Sequence, residues 1–221
     1  MTDIEIFRER IMVPGPSGTV VGGDAITSLQ TRVTELERVL NSQIESVTTG
    51  RFYGPLSVLS GYPTPTGAVA TQNRLYATPV YIPQNGTFNV AGIEITTAVA
   101  AATVRLGIYA ALANGLPGAL VADFGTIDAT VAGFRSVPIT ITLPRGSYWL
   151  AGVSNNSTIA MLRILAAAGV TATMGHVTTD GTSPRNALQK TDLLADNLSL
   201  PATFGPAGSL TSIFAFWLQA A

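Results

Sequence analysis

The 221-residue chain offers one histidine, His176, one lysine, Lys190, and no cysteine. Thiolate zinc sites, iron–sulfur clusters, disulfides and cysteine nucleophiles are therefore excluded, as is a multi-histidine metal site within one chain. A Ser-His-Asp system would have to combine His176 with Asp180 and some serine, but the Gly-x-Ser-x-Gly elbow that exposes such a nucleophile is absent. Glycoside cleavage needs two converging carboxylates, for which Asp123, Asp128 and Asp180 are candidates that no spacing favours. Asp192 and Asp196 would share a face if their segment were helical, a solvated like-charge pair rather than a calcium loop, which needs six to eight oxygens. The glycines at 15 and 18 lack the Gly-Lys-Ser/Thr of a phosphate loop. No catalytic constellation, metal or cofactor is expected.

Binding is the alternative to catalysis. Carbohydrate recognition uses aromatic faces, amides and charged groups held on loops. Tyr148, Trp149 and Trp217 fall in strand-like runs and read as core. The polar candidates lie together in a loop-like stretch: His176, Asp180, Arg185, Asn186, Lys190 and Asp192.

The bulk composition narrows the partners. Charged residues make up 11% of the chain and the net charge is −1, which gives no field to draw in nucleic acid or acidic lipid. Hydrophobic residues reach 47%, enough for a core. Apolar stretches are interrupted by Arg105, Arg163, prolines and glycines, so none reads as a membrane span. The opening residues mix acids with bases and are not expected to form a signal peptide.

Residues 1–23 cannot build a core of their own. Ile4, Ile6 and Phe7, ahead of a Pro- and Gly-rich tract, suit an extended anchor that orders on a partner. From Asp24, a good N-cap, apolar residues recur at Ile26, Leu29, Val33, Leu36, Leu40, Ile44 and Val47, with gaps of 3, 4, 3, 4, 4 and 3. This is a heptad seam that ends in a stutter, and residues 24–50 are expected to form an α-helical coiled coil. Arg32 and Glu37 occupy g and e positions, where parallel helices form interchain ion pairs. β-Branched a and leucine d positions favour a dimer, whereas Arg32-Val33-Thr34-Glu35-Leu36-Glu37 resembles the short trimerisation signature Arg-h-x-x-h-Glu, h being apolar. A trimer is expected.

Prolines and glycines across 51–73 predict an extended neck. Residues 74–221 then read as β. Leu106 and Ile108 alternate with Arg105, Gly107 and Tyr109, and Ile139, Ile141 and Leu143 alternate with threonines. A phase slip between Phe88 and Ile93 predicts a bulge at Ala91-Gly92. The long loop 171–208 holds one brief helical candidate, 186–196, and a final strand is expected over Leu210–Leu218. Turn signals between short strands indicate an antiparallel β-sandwich or jelly-roll head.

The runs Val104-Arg105-Leu106-Gly107-Ile108-Tyr109, Leu116-Pro117-Gly118-Ala119-Leu120 and Leu143-Pro144-Arg145-Gly146-Ser147-Tyr148-Trp149-Leu150-Ala151 resemble the β heads of bacteriophage fibres and spikes. The order anchor, coiled coil, neck and head is similar to such fibres over the whole length. The resemblance implies a homotrimer on the virion, assembled in the host cytoplasm and joined by its N-terminus to capsid, portal or tail proteins. Its head would bind a host surface polysaccharide, with no nucleic-acid partner and no membrane insertion. A capsid decoration protein without a receptor and a glycan depolymerase are the competing expectations.

Overall fold

A computed structural model describes residues 27–34, 47–54, 66–165, 187–196, 199–210 and 212–221. The chain divides into two compact units, Met1–Glu45 and Ser46–Ala221. In the first, residues 27–34 are helical, with every side chain exposed. Anchor residues Ile4, Ile6 and Phe7, and seam residues Ile26, Leu36, Glu37, Leu40 and Ile44, lie outside the described residues. No described helix is long and apolar enough to cross a membrane.

The second unit is mainly β. Its strands in chain order are β1 (Phe52–Tyr53), β2 (Thr66–Val69), β3 (Leu75–Ile82), β4 (Gly86–Thr97), β5 (Thr103–Ala111), β6 (Pro117–Asp128) and β7 (Gly133–Leu143). There follow β8 (Gly146–Ser154), β9 (Ala160–Leu165), β10 (Ala187–Lys190), β11 (Ala207–Leu210), β12 (Ser212–Phe214) and β13 (Phe216–Ala220). One sheet has the order β11-β10-β3-β8-β5-β6. In the other, β1-β13-β4-β9-β12 forms the path, with β7 on the far side of β4 and β2 on β9. All pairs are antiparallel.

The two sheets share a core, because alternate residues of each point toward the other. Val104, Leu106 and Ile108 of β5 and Leu150 of β8 meet Phe88, Ala91, Ile93 and Ile95 of β4 and Phe216 and Leu218 of β13. Tyr76 and Phe214 pack edge to face at 4.6 Å. Thr78, fully buried, donates its hydroxyl to the Phe214 carbonyl at 2.9 Å, which removes the cost of an unpaired polar group there.

Several local expectations are corrected. The slip in β4 sits at Asn89, where Phe88 and Val90 face opposite sides and pairing with both β7 and β13 shifts, not at Ala91-Gly92. Ala91, Ile93 and Ile95 can then all enter the core. The brief helix over 186–196 is instead strand β10, with Ala187 and Leu188 buried between β3 and β11; a helix that short has little stability of its own, and the sheet edge satisfies its backbone. The single last strand is three, β11 in one sheet and β12 and β13 in the other, with buried Ala215 donating to the Leu162 carbonyl at 3.0 Å between β12 and β13. Pro117-Gly118 opens β6 rather than forming a turn. Within the segment read as a neck, β1 pairs β13 and β2 pairs β9, so both belong to the sheets. Val47, the last residue of the heptad seam, is half-buried on the core of this second unit, against Gly86.

Candidate functional site

The outer face of the six-stranded sheet is apolar, which is unusual for a sheet with one face on a core. Leu75, Ala77, Tyr109, Trp149, Ala151, Val153 and Leu188 form it. The returning chain covers it with Leu194, Leu200, Phe204 and Ala207. Tyr109 and Phe204 meet edge to face at 5.5 Å, and the Tyr109 hydroxyl donates to the Pro201 carbonyl at 3.0 Å. Burial, aided by the Asp123 charge, raises the Tyr109 pKa well above the ordinary phenol range. The cover is also stitched to β6: Leu120 N–H donates to the Ala202 carbonyl at 2.8 Å and Phe204 N–H to the Gly118 carbonyl at 3.0 Å. The described part of the predicted long loop is thus a second core layer.

Beside this layer the β5–β6 connection folds back. Leu112 N–H donates to the Leu116 carbonyl at 2.8 Å, Gly115 N–H to the Leu112 carbonyl at 2.8 Å, and the Trp149 indole N–H to the Gly115 carbonyl at 3.1 Å. Gly115 has φ +78°, a left-handed conformation that glycine takes without strain. Between this connection and the cover lies an open groove of about 500 Å³, lined by Leu112, Leu116 and residues 117–119 on one side and Thr203 and residues 205–207 on the other. The Lys190 amine approaches the groove at Gly205 and lies 3.8 Å from Asp192 Oδ2. The lining offers apolar surface, backbone groups and one hydroxyl, with a cation at one end. Those groups can hold a ligand, and none of the lining side chains is an acid, a base or an activated nucleophile.

Of the expected binding residues, Lys190 and Asp192 come together here, while His176, Asp180, Arg185 and Asn186 lie outside the described residues. Asp192 and Asp196 do not share a helix face, because residues 191–196 are not helical. The two described carboxylates considered for glycoside cleavage are engaged elsewhere. Asp123 takes the Arg105 Nε at 2.8 Å. Asp128 is held below its ordinary pKa by hydrogen bonds from the Thr130 side chain and backbone, with Arg135 adding to the effect, the opposite of what a general acid needs. Among the described residues no group of three or more His, Cys, Asp or Glu is placed to hold a metal.

Trp149 is fully buried, as its strand position implies; Tyr148 and Trp217 are half-buried. Tyr148 donates its hydroxyl to the Pro144 carbonyl at 3.0 Å, and burial raises its pKa. Sequence reasoning passed over the groove residues Leu112, Leu116, Pro117, Thr203 and Pro206. The available signal was the pair of turn dipeptides at 114–115 and 117–118, and nothing local joins them to residue 203.

No family model matches this chain, and comparison with the curated proteins and with the solved structures finds no match.

Proposed function

We propose that this chain is a trimeric fibre or spike protein of a bacteriophage or phage-like particle, acting by binding rather than catalysis. The observation that carries the reading is the helix of the first unit. Leu29 and Val33, at d and a of the heptad, are 58% and 51% exposed in the single chain. A seam of that kind gains about 1.5–3 kcal/mol for each such side chain it buries, and partner helices supply the burial. The seam from Ile26 to Ile44 serves as the coiled-coil stalk and the β unit, which takes in Val47, as a sandwich head. Ile4, Ile6 and Phe7 join the particle through capsid, portal or tail proteins.

The head binds a host surface glycan at the groove, where Leu112 and Pro117 supply apolar contact and Lys190 and Asp192 a polar end. Three heads on one stalk raise the effective concentration for the second and third contacts, so each site can be weak. The test is binding of the full chain to immobilised host polysaccharide, beside Lys190→Ala and Leu112→Asp. Loss of at least tenfold in apparent affinity for both variants supports the reading. Release of new reducing ends from the polysaccharide would replace it with a depolymerase.

A further inference from the structure

The groove between the β5–β6 connection and the cover has an uncharged lining with a cation at one end. Leu112, Leu116, Pro117 and Pro206 supply its apolar surface, and the Thr203 hydroxyl is the one polar side-chain group among the described lining residues. Lys190 is the last residue of β10, and its backbone pairs with Ala207, itself a lining residue, so the sheet fixes where the side chain leaves the backbone. Gly205 has no side chain to cover the amine. A Cβ there would stand 3.4 Å from Nζ, and the backbone at Gly205 takes φ +78°, which favours glycine.

The Lys190 amine is a positioned donor with no acceptor in place. Its side chain is 15% exposed, so packing holds the stem and less conformational freedom is lost when a ligand meets the head. Its one charged partner among the described residues is Asp192 Oδ2 at 3.8 Å, beyond hydrogen-bond distance, and the Asp192 side chain is 76% exposed. An ion pair that open to water is weak and readily exchanged. Among the described residues, neither the ammonium's three N–H donors nor the Thr203 hydroxyl makes a hydrogen bond.

We propose that the groove takes an anionic sugar, its carboxylate or phosphate held by Lys190 while the ring lies along Leu112 and Pro117 and a ring hydroxyl meets Thr203. This rests on the reading of the groove as the glycan site and adds the charge of the glycan. Charge-assisted hydrogen bonds are roughly twice as strong as those between neutral groups, so in a lining that is otherwise apolar the anion carries the specificity. Asp192 competes for the same amine, and so weakens the site for an anion rather than building it.

The single lysine makes the test direct, because isotope-labelled lysine in the full chain gives one ε-carbon resonance, that of Lys190. Methyl glucuronide, glucose phosphate and methyl glucoside are titrated separately; the first carries a carboxylate, the second a phosphate and the third neither. A moved Lys190 resonance is expected, with a dissociation constant for at least one anionic sugar lower than that for methyl glucoside by about fivefold or more. The tighter of the two anions identifies carboxylate or phosphate as the group held. Lys190→Arg should keep the preference, Lys190→Gln should remove it, and Asp192→Asn should strengthen binding of the anions. Equal binding of all three sugars overturns the inference, as does an unmoved Lys190 resonance, or a folded Lys190→Gln chain that still prefers the anion. The glycan reading of the groove is then decided separately, by whether Leu112→Asp weakens binding of the full chain to host polysaccharide.

Discussion

Arg105 and Asp123 form a two-sided contact on the outer face of the six-stranded sheet, with Nε 2.9 Å from Oδ1 and 2.8 Å from Oδ2 of the carboxylate. The same carboxylate accepts the Gly125 amide at 2.9 Å, in a turn where Gly125 takes φ +86°, and the Leu200 amide of the cover at 3.4 Å. One side chain thus joins β5, β6 and the segment that shields Tyr109 and Trp149. Its use as a structural hub explains why a carboxylate beside the apolar layer is not free for chemistry.

Asp123→Ala should destabilise the chain by about 1–3 kcal/mol, since a charge-assisted contact is lost and Arg105 keeps only the weaker hydrogen bond from Nη1 to the Thr126 hydroxyl at 3.3 Å. Chemical denaturation followed by near-ultraviolet circular dichroism reads this as a lower midpoint. An unchanged midpoint would remove Asp123 from the hub.

Gly107→Ala places a methyl group 2.8 Å from the Ala122 carbonyl and into Leu200. Leu200 can turn aside, but the backbone of β6 cannot, so about 1–3 kcal/mol of overpacking is expected. Faster amide exchange across 200–204 than in the parent chain would mark the cover as the part that lifts.

Alkaline pH should weaken the fold. The Tyr109 hydroxyl is kept protonated in the folded chain by burial, whereas in the unfolded chain it ionises near the ordinary value of 10.0. The unfolded state therefore sheds its proton first, and stability that is full below pH 10 falls as pH rises above it. Tyr148 shifts in the same direction. Tyr109→Phe should flatten the decline between pH 10 and 11.5 without abolishing it, and thermal melts across that range measure the slope.

Leu29→Asp with Leu36→Asp should convert a species of about 69 kDa, three times 22.9 kDa, into one of 22.9 kDa while leaving the β unit folded. Sedimentation reads the mass and near-ultraviolet circular dichroism the head. Retention of the larger mass would place the oligomer contacts elsewhere.

Much of the β unit was readable from period alone. In β7, Val137, Ile139 and Ile141 face inward and the residues between them face out, and β5 keeps the phase its apolar positions imply. Trp149 was correctly read as core. The expected anchor, most of the expected seam and four of the six expected binding residues lie outside the described residues. Ala187–Lys190 was misread because a four-residue strand carries no period of its own and takes its conformation from the edge of β3.

Composition by itself determined that this chain has no thiol, no histidine cluster and little charge, and alternation determined that its larger part is antiparallel β. These properties reside in residue type and in neighbours one or two positions apart. Only tertiary structure decided that 200–204 folds over Tyr109, that the groove is closed on one side by residue 203 and on the other by residue 118, and that Phe134 meets Phe52. Each of these joins positions 80 or more residues apart, where the outcome depends on which sheet faces are left uncovered after the strands have paired, and local pattern holds no record of that.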